Sequence, residues 1–512
     1  MIFKSLVFIF RKMRWKKLLG KGRRLIIVDE EINSNTIIDV MKIAWTKHTN
    51  NVVDINKLMD YYFGKQNQNK NQSTSNFYED NIENETTINY ANSTVRTIVG
   101  YTYSQGAQIT QRKGKHQKDI EKLIDIMNYE NSDTIDNEVG TMASITGMGY
   151  FGTFPTKELY SDYMPDYPIV PIALDPRTTF VVCSPELGNP VKLSVTYYSS
   201  KEKRKTVFYC YTDNETYLIE CDGENTFNNS AKIKDIDINP IGLNPISLVK
   251  NNQFMQGDFE TAIQISDALN QLASDSLSDV ENVIKSLLII MNAELTDDEA
   301  AKARKNRILQ LIGQPGMNVD AKFIYQQLDS LGIQNLREYF EEAYKTVVGI
   351  PDRKTRSGGG GDTGDAVKLR DGWADIEIVA RIKEAYFKIA KKKQLAVAIE
   401  ILHLLNMVSK NFKLEDIDIK LPRNKNDNIQ TKSQSFSTLM GTEVLAPEDA
   451  LAMADMTTDI TGVVERGKKY NEAKKNNESQ KSNITSNTDS NPSNKGQQTN
   501  ALEGGEENVI EE

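Results

Sequence analysis

Few residues of this 512-residue chain are spaced for covalent chemistry. The three histidines, His48, His116 and His403, lie far apart and form no H-E-x-x-H pair. The three cysteines, Cys183, Cys210 and Cys221, show no C-x-x-C spacing, so neither a disulfide framework nor a structural zinc is expected. Cys183 and Cys210 sit in strand-like runs and read as small buried hydrophobes. No Ser-His-Asp, Cys-His or clustered-carboxylate arrangement emerges, and acid pairs such as Glu341-Glu342 read as a solvated helix face. Gly359-Gly360-Gly361-Asp362-Thr363-Gly364 spells G-x-G-x-x-G. That motif holds a dinucleotide only where it follows a buried strand and opens a helix. Here a helical pattern and Pro351 precede it, and Asp365 stands where a P-loop needs lysine. The expectation is no catalytic residue, no metal, no cofactor and no enzyme.

Charge placement is more telling. The chain holds 62 basic and 71 acidic residues, a net charge of −9. Nine of the basic residues lie in residues 1–24, which contain no acid. The remainder carries 53 against 71, a net −18. A basic arm on an acidic body suggests that any nucleic-acid or membrane contact belongs to the arm. The apolar run Leu6–Phe10 is too short for a signal peptide. No stretch approaches the ~20 apolar residues of a spanning helix, so the chain reads as soluble, with no membrane partner. Two further charged features recur below. Arg353, Lys354 and Arg356 cluster beside Gly358, Gly359, Gly360 and Gly361. Six acids, Asp258, Glu260, Asp267, Asp275, Asp279 and Glu281, fall where no Lys or Arg occurs between Lys250 and Lys285.

The elements that position these residues follow from periodicity. Residues 36–63 read as a helix, and 66–76 as an Asn/Gln-rich loop. Residues 88–110 read as a helix ending in a Gly-punctuated turn, and 117–149 as helical. Short Val/Ile/Thr/Tyr/Phe runs from Ile169 to Ile219 predict an antiparallel meander. Asp258 is a plausible N-cap for a long helix to 284. Ser286–Met291 reads as a strand, Thr296-Asp297-Asp298-Glu299 as a capping box, and 308–312 with 319–325 as a hairpin. A second helix covers about 334–348. A third runs from Asp365 to about Met407, with Ile376, Ile378, Ile382 and Ile389 among its apolar positions. Residues 415–421 alternate as a strand, and 431–470 read as two helices. From Asn471 onward the polar composition predicts disorder. Trp15, Trp45 and Trp373 read as core or interface anchors.

This order of elements resembles the portal proteins of tailed bacteriophages, in the branch typical of long non-contractile-tailed phages. Local matches carry the likeness. Asp60-Tyr61-Tyr62-Phe63-Gly64 resembles the family's Tyr-Tyr-x-Gly signature. Ile88-Asn89-Tyr90 through Val99-Gly100-Tyr101 resembles its Asn-Tyr…Gly-Tyr helix. Asn244-Pro245, Asn251-Asn252 and Gly257-Asp258-Phe259-Glu260 resemble the approach to its first stem helix, and Ser266–Asn270 with Ser274–Glu281 that helix itself. Gly364–Lys368 and Asp416–Pro422 resemble the segment after the tunnel loop and the late wing strand.

The resemblance implies an α+β portal-type fold: an α/β wing, long stem helices, a small α/β clip and a helical crown, in subunits arranged as a ring. On this sequence it implies a basic N-terminal arm (1–35, flexible), a wing (36–257), a first stem helix (258–285), a clip (286–329) and a second stem helix (330–348). Next come a tunnel loop (349–364), a long helix (365–410), a wing strand (411–425), crown helices (426–470) and a disordered tail (471–512). It implies a homo-oligomeric ring of 12 subunits at the capsid vertex of a virion assembled in the host bacterial cytoplasm. Double-stranded DNA would pass through its channel. The implied partners are the terminase large subunit, the major capsid and scaffolding proteins, and a head-completion adaptor. The implied sites are DNA contact by Arg353, Lys354 and Arg356, a channel lining from the six acids, and a clip interface from Asp297, Asp298, Lys302, Arg304, Lys305 and Arg307. Two other classes stay open from sequence: a ring or coiled-coil structural adaptor outside phages, and a nucleotide-binding enzyme using the glycine loop.

Overall fold

The computed structural model describes residues 21–66, 86–112, 116–129, 131–156, 167–202, 204–284, 287–291, 320–324, 330–351, 373–423, 429–442, 445–454, 456–457 and 460–485. Helix and strand are mixed, and the chain divides into two compact units, 1–426 and 427–512.

In chain order the strands of the first unit are β1 (Ile26–Ile27), β2 (Gln108–Gln111), β3 (Met148–Pro155), β4 (Ile169–Leu174) and β5 (Thr179–Cys183). Next come β6 (Val191–Ser200), β7 (Lys205–Tyr211), β8 (Glu215–Asp222), β9 (Lys232–Ile238) and β10 (Ile246–Lys250). β11 (Leu287–Met291), β12 (Asp320–Ile324) and β13 (Ile417–Lys420) complete the set.

The predicted meander forms, as the run β5 to β9 of a six-stranded sheet ordered β1-β5-β6-β7-β8-β9. Its inner residues Phe180, Val182, Leu193, Val195, Phe208, Cys210, Tyr217 and Ile219 pack on Ile37, Val40, Met41 and Ala44 of the helix Ile37–Tyr62. Alternation puts these side chains on one face. Trp45 packs edge-on against Tyr197 and Phe208, at centroid distances of 5.1 and 5.5 Å. Cys183, Cys210 and Cys221 are free and buried, matching the reading of Cys183 and Cys210 as small hydrophobes.

The second half of the same helix, through Ile55, Leu58, Met59 and Tyr61, enters a larger core. That core is built on the sheet β10-β3-β4 and the helices Gln117–Tyr129, Ser132–Thr146 and Trp373–Leu404. β13 pairs antiparallel with β2 at the edge of this region.

Several expectations are corrected. Residues 117–149 hold two helices, Gln117–Tyr129 and Ser132–Thr146, followed by β3. β4 pairs with β3 and not with the meander. β12 pairs antiparallel with β11, and the expected hairpin partner 308–312 lies outside the described residues. Part of the arm expected to be flexible, residues 21–35, is among the described residues and packs in the first unit. β1 runs parallel to β5, and Arg23 N–H donates to the Met255 carbonyl at 3.1 Å. In the second unit, helices span Ile429–Met440, Pro447–Met453 and Ile460–Thr485. Residues 471–485, expected to be disordered, are helical. Lys, Glu, Gln and Ala are good helix formers even where few residues have a core to enter.

Candidate functional site

The first long helix starts later than Asp258. A 3-10 turn covers Glu260–Ala262, and the α-helix runs Ile263–Ile284. Asp258 is not its cap. The Asp258 carboxylate lies 2.7 Å from Lys383 Nζ, with side chains 7% and 2% exposed. Asn251 Nδ2 donates to it at 2.8 Å, and the Ser144 hydroxyl donates in a short contact. Burial lowers the Lys383 pKa, and Asp258 opposes that shift.

Two residues on, Glu260 accepts from Arg23 at 2.5 Å, both side chains being at most 1% exposed. Glu260 also accepts from Gly257 N–H at 3.0 Å, and Arg23 donates to the Thr146 carbonyl at 3.0 Å. Gly257 has a steric reason: a Cβ there would lie 2.3 Å from the Ile145 carbonyl oxygen. A third buried pair, Lys391–Asp136 at 2.6 Å, joins the helix Trp373–Leu404 to the helix Ser132–Thr146. Burial raises the Asp136 pKa against the pull of Lys391. The first two pairs lock the root of the first long helix to the core, and the third ties the core helices together, because breaking a buried pair strands a charge at about 3–5 kcal/mol.

The next stretch of the helix is also tied inward. Tyr61 Oη donates to both Asp267 oxygens, at 2.9 and 3.0 Å. Asn270 Oδ1 accepts from Ile88 N–H at 2.8 Å, and Ser274 Oγ from Thr86 N–H at 3.0 Å. Asn89 caps the helix Tyr90–Thr102 by accepting from Asn92 N–H at 2.9 Å, and its amide donates to the Tyr62 carbonyl at 2.8 Å. Gly64 beside it has φ +72°, a conformation that suits glycine. Tyr90 and Tyr344 pack with centroids 5.2 Å apart, and Tyr101 Oη donates to Glu377 at 2.7 Å. Glu377 and Glu384 also hold Arg423, at 3.3 and 2.6 Å. The Tyr61–Gly64 and Asn89–Tyr101 segments therefore act as brackets between the long helices.

A family model described as "Phage portal protein, SPP1 Gp6-like" matches residues 41–483. The chain belongs to this phage portal protein family. A portal protein forms the DNA channel of a phage particle, at its vertex, and the family is structural. Among solved structures the portal chain is similar to a chain in the neck of an empty GTA particle computed with C6 symmetry. Identity is 12%, coverage is 71% of this chain and 89% of that one, and the TM-score is 0.43. It is also similar to a chain in the neck of a native GTA particle computed with C12 symmetry. There identity is 10%, coverage is 71% and 88%, and the TM-score is 0.40. Comparison with curated proteins gives no match.

For the portal chain, the six acids of the expected channel lining divide into two groups. Asp258 and Glu260 are neutralised inside their own chain, and Asp267 is directed at Tyr61. The Asp258 and Glu260 side chains are buried, and Asp267 is half-buried. Asp275 is exposed, with Gln271 donating to it at 2.7 Å. Asp279 and Glu281 continue the same helix, their side chains outside the described residues. Arg353, Lys354, Arg356 and Gly358–Gly361 lie outside the described residues, as do Asp297, Asp298, Lys302, Arg304, Lys305 and Arg307.

Sequence reasoning missed Arg23, Asp136, Lys383 and Lys391. A signal existed. Ile376, Ala380, Lys383, Phe387, Ala390 and Gln394 keep helical spacing and are all buried, so Lys383 sits in an apolar stripe. Among the described residues no group of three His, Cys, Asp or Glu could hold a metal ion, and no helix is long and apolar enough to cross a membrane.

Proposed function

We propose that this portal protein assembles as a ring of 12 subunits, with the distal half of the helix Ile263–Ile284 facing the channel. Family membership over residues 41–483 carries the reading. The proximal half is fixed to the core through Asp258, Glu260 and Asp267, which leaves Asp275, Asp279 and Glu281 as the acidic lining. Asp275 and Asp279 share a helix face by their i,i+4 spacing. A translocating duplex must not adhere, and phosphates bind basic walls tightly through counterion release. Carboxylates repel them within a Debye length of about 8 Å at physiological salt. Arg353, Lys354 and Arg356 then make local, transient contact with the DNA backbone. A terminase motor and a head-completion adaptor dock on residues 286–329, with Asp297, Asp298, Lys302, Arg304, Lys305 and Arg307 as candidate contacts. Capsid and scaffolding proteins surround the assembly.

The test is a packaging assay on particles carrying Asp275→Asn, Asp279→Asn and Glu281→Gln together. Packaged DNA per particle should fall, with ring assembly intact. Undiminished packaging would remove these acids from the channel wall. Neutralising Arg353, Lys354 and Arg356 tests the loop separately: unchanged packaging and retention of DNA would remove them from any DNA contact.

A further inference from the structure

The helix Trp373–Leu404 carries a second apolar face. Ile378, Ile382 and Ile389 are 58%, 50% and 57% exposed, with exposed Ala385 between them. Positions 378, 382, 385 and 389 form one stripe, about 16 Å long at ~1.5 Å per residue. Exposed apolar residues standing singly need no explanation. Three isoleucines in one helical register form the kind of seam that packs on another helix. Exposed Arg381, Lys392 and Lys393 border the seam, and Arg381 also contacts Glu377 at 3.1 Å. Glu377 and Glu384 are turned toward Arg423. Exposed Asp375 also flanks the seam, so among the described residues three exposed cations border it against one exposed acid.

The helix Ser330–Val348 presents the complementary pattern. Leu331 and Tyr339 are 67% and 65% exposed. Asn335, Glu338 and Glu342 are exposed on the same face, which adds two acids and no exposed cation. Residues 331–342 and 378–389 have the same length along a helix.

We propose that the isoleucine seam of one subunit packs against the Leu331–Glu342 face of a second copy of this chain. The inference rests on the ring reading above and names the ring's lateral contact. A cyclic assembly needs a heterologous interface, two different patches that fit each other on every subunit. The two faces are apolar along their centres and opposite in charge at their borders.

The experiment measures the mass of the full chain in solution. The wild type should form rings, and Ile378→Glu with Ile382→Glu should leave monomers whose far-ultraviolet circular dichroism spectrum matches the wild type. Glu338→Lys with Glu342→Lys should reduce assembly at least tenfold, and adding Arg381→Glu with Lys392→Glu should restore it. A Tyr339→Cys, Ile382→Cys variant should give a ladder of disulfide-linked subunits on oxidation. Rings that persist in the isoleucine variant, or a cross-link confined within one chain, would overturn the seam and leave the ring reading standing. A wild type that never forms rings would overturn both.

Discussion

Lys383 meets Asp258 at 2.7 Å across 125 residues of chain, and both side chains are buried. The contact fixes where the first long helix leaves the core. Lys383→Met leaves Asp258 charged and unpaired, and should cost about 3–5 kcal/mol in urea unfolding. Adding Asp258→Leu to Lys383→Met should recover much of that loss. A single-variant cost under about 0.5 kcal/mol would show that the pair does not fix the helix root.

Lys391→Met makes a related prediction with a pH signature. Asp136 is fully buried and its pKa is raised by burial. Without Lys391, folding favours the protonated acid, so its stabilising effect is present at low pH and lost as pH rises. The destabilisation relative to wild type should therefore shrink as pH falls toward 4. A deficit independent of pH would contradict this.

His48 titrates in the other direction. Burial among Trp45, Phe180 and Tyr197 lowers its pKa to about 4, from 6.5, against a hydrogen bond to the Arg177 carbonyl. The fold excludes the charged imidazole. Stability should be full above about pH 6.5 and decline by roughly 3 kcal/mol on the way to pH 4. His48→Gln should flatten that part of the curve, as read by chemical denaturation at each pH.

Tyr61→Phe deletes only the hydroxyl that donates to Asp267. A hydrogen bond to a charged acceptor contributes about 1.5–3 kcal/mol, so a loss in that range is expected in thermal or urea unfolding. A neutral substitution would show that the Tyr-Tyr-x-Gly bracket does not hold the long helix.

The sequence revealed elements better than faces. The helix Ile37–Tyr62 and the strands from Thr179 to Ile219 were legible because their apolar periods are clean. β3 was missed because Gly149, Gly152 and Pro155 interrupt its pattern, and β9 because Lys, Asp and Ile alternate on an exposed edge. In the helix Trp373–Leu404 the periodicity marked Ile376, Ile378, Ile382 and Ile389 alike as apolar positions, but Ile376 is buried while Ile378, Ile382 and Ile389 point outward and Lys383 and Lys391 point in. Buried lysines invert a hydropathy reading, because their partners Asp258 and Asp136 are distant in sequence. For the same reason Asp258 and Glu260 looked like surface acids until Lys383 and Arg23 were located.

We propose that this portal chain closes into a ring around a DNA channel. Two-dimensional class averages of the purified full chain by electron microscopy test it most directly. Rings of about 12 subunits with an axial hole are expected. Compact monomers, or assemblies with no axial opening, would contradict it.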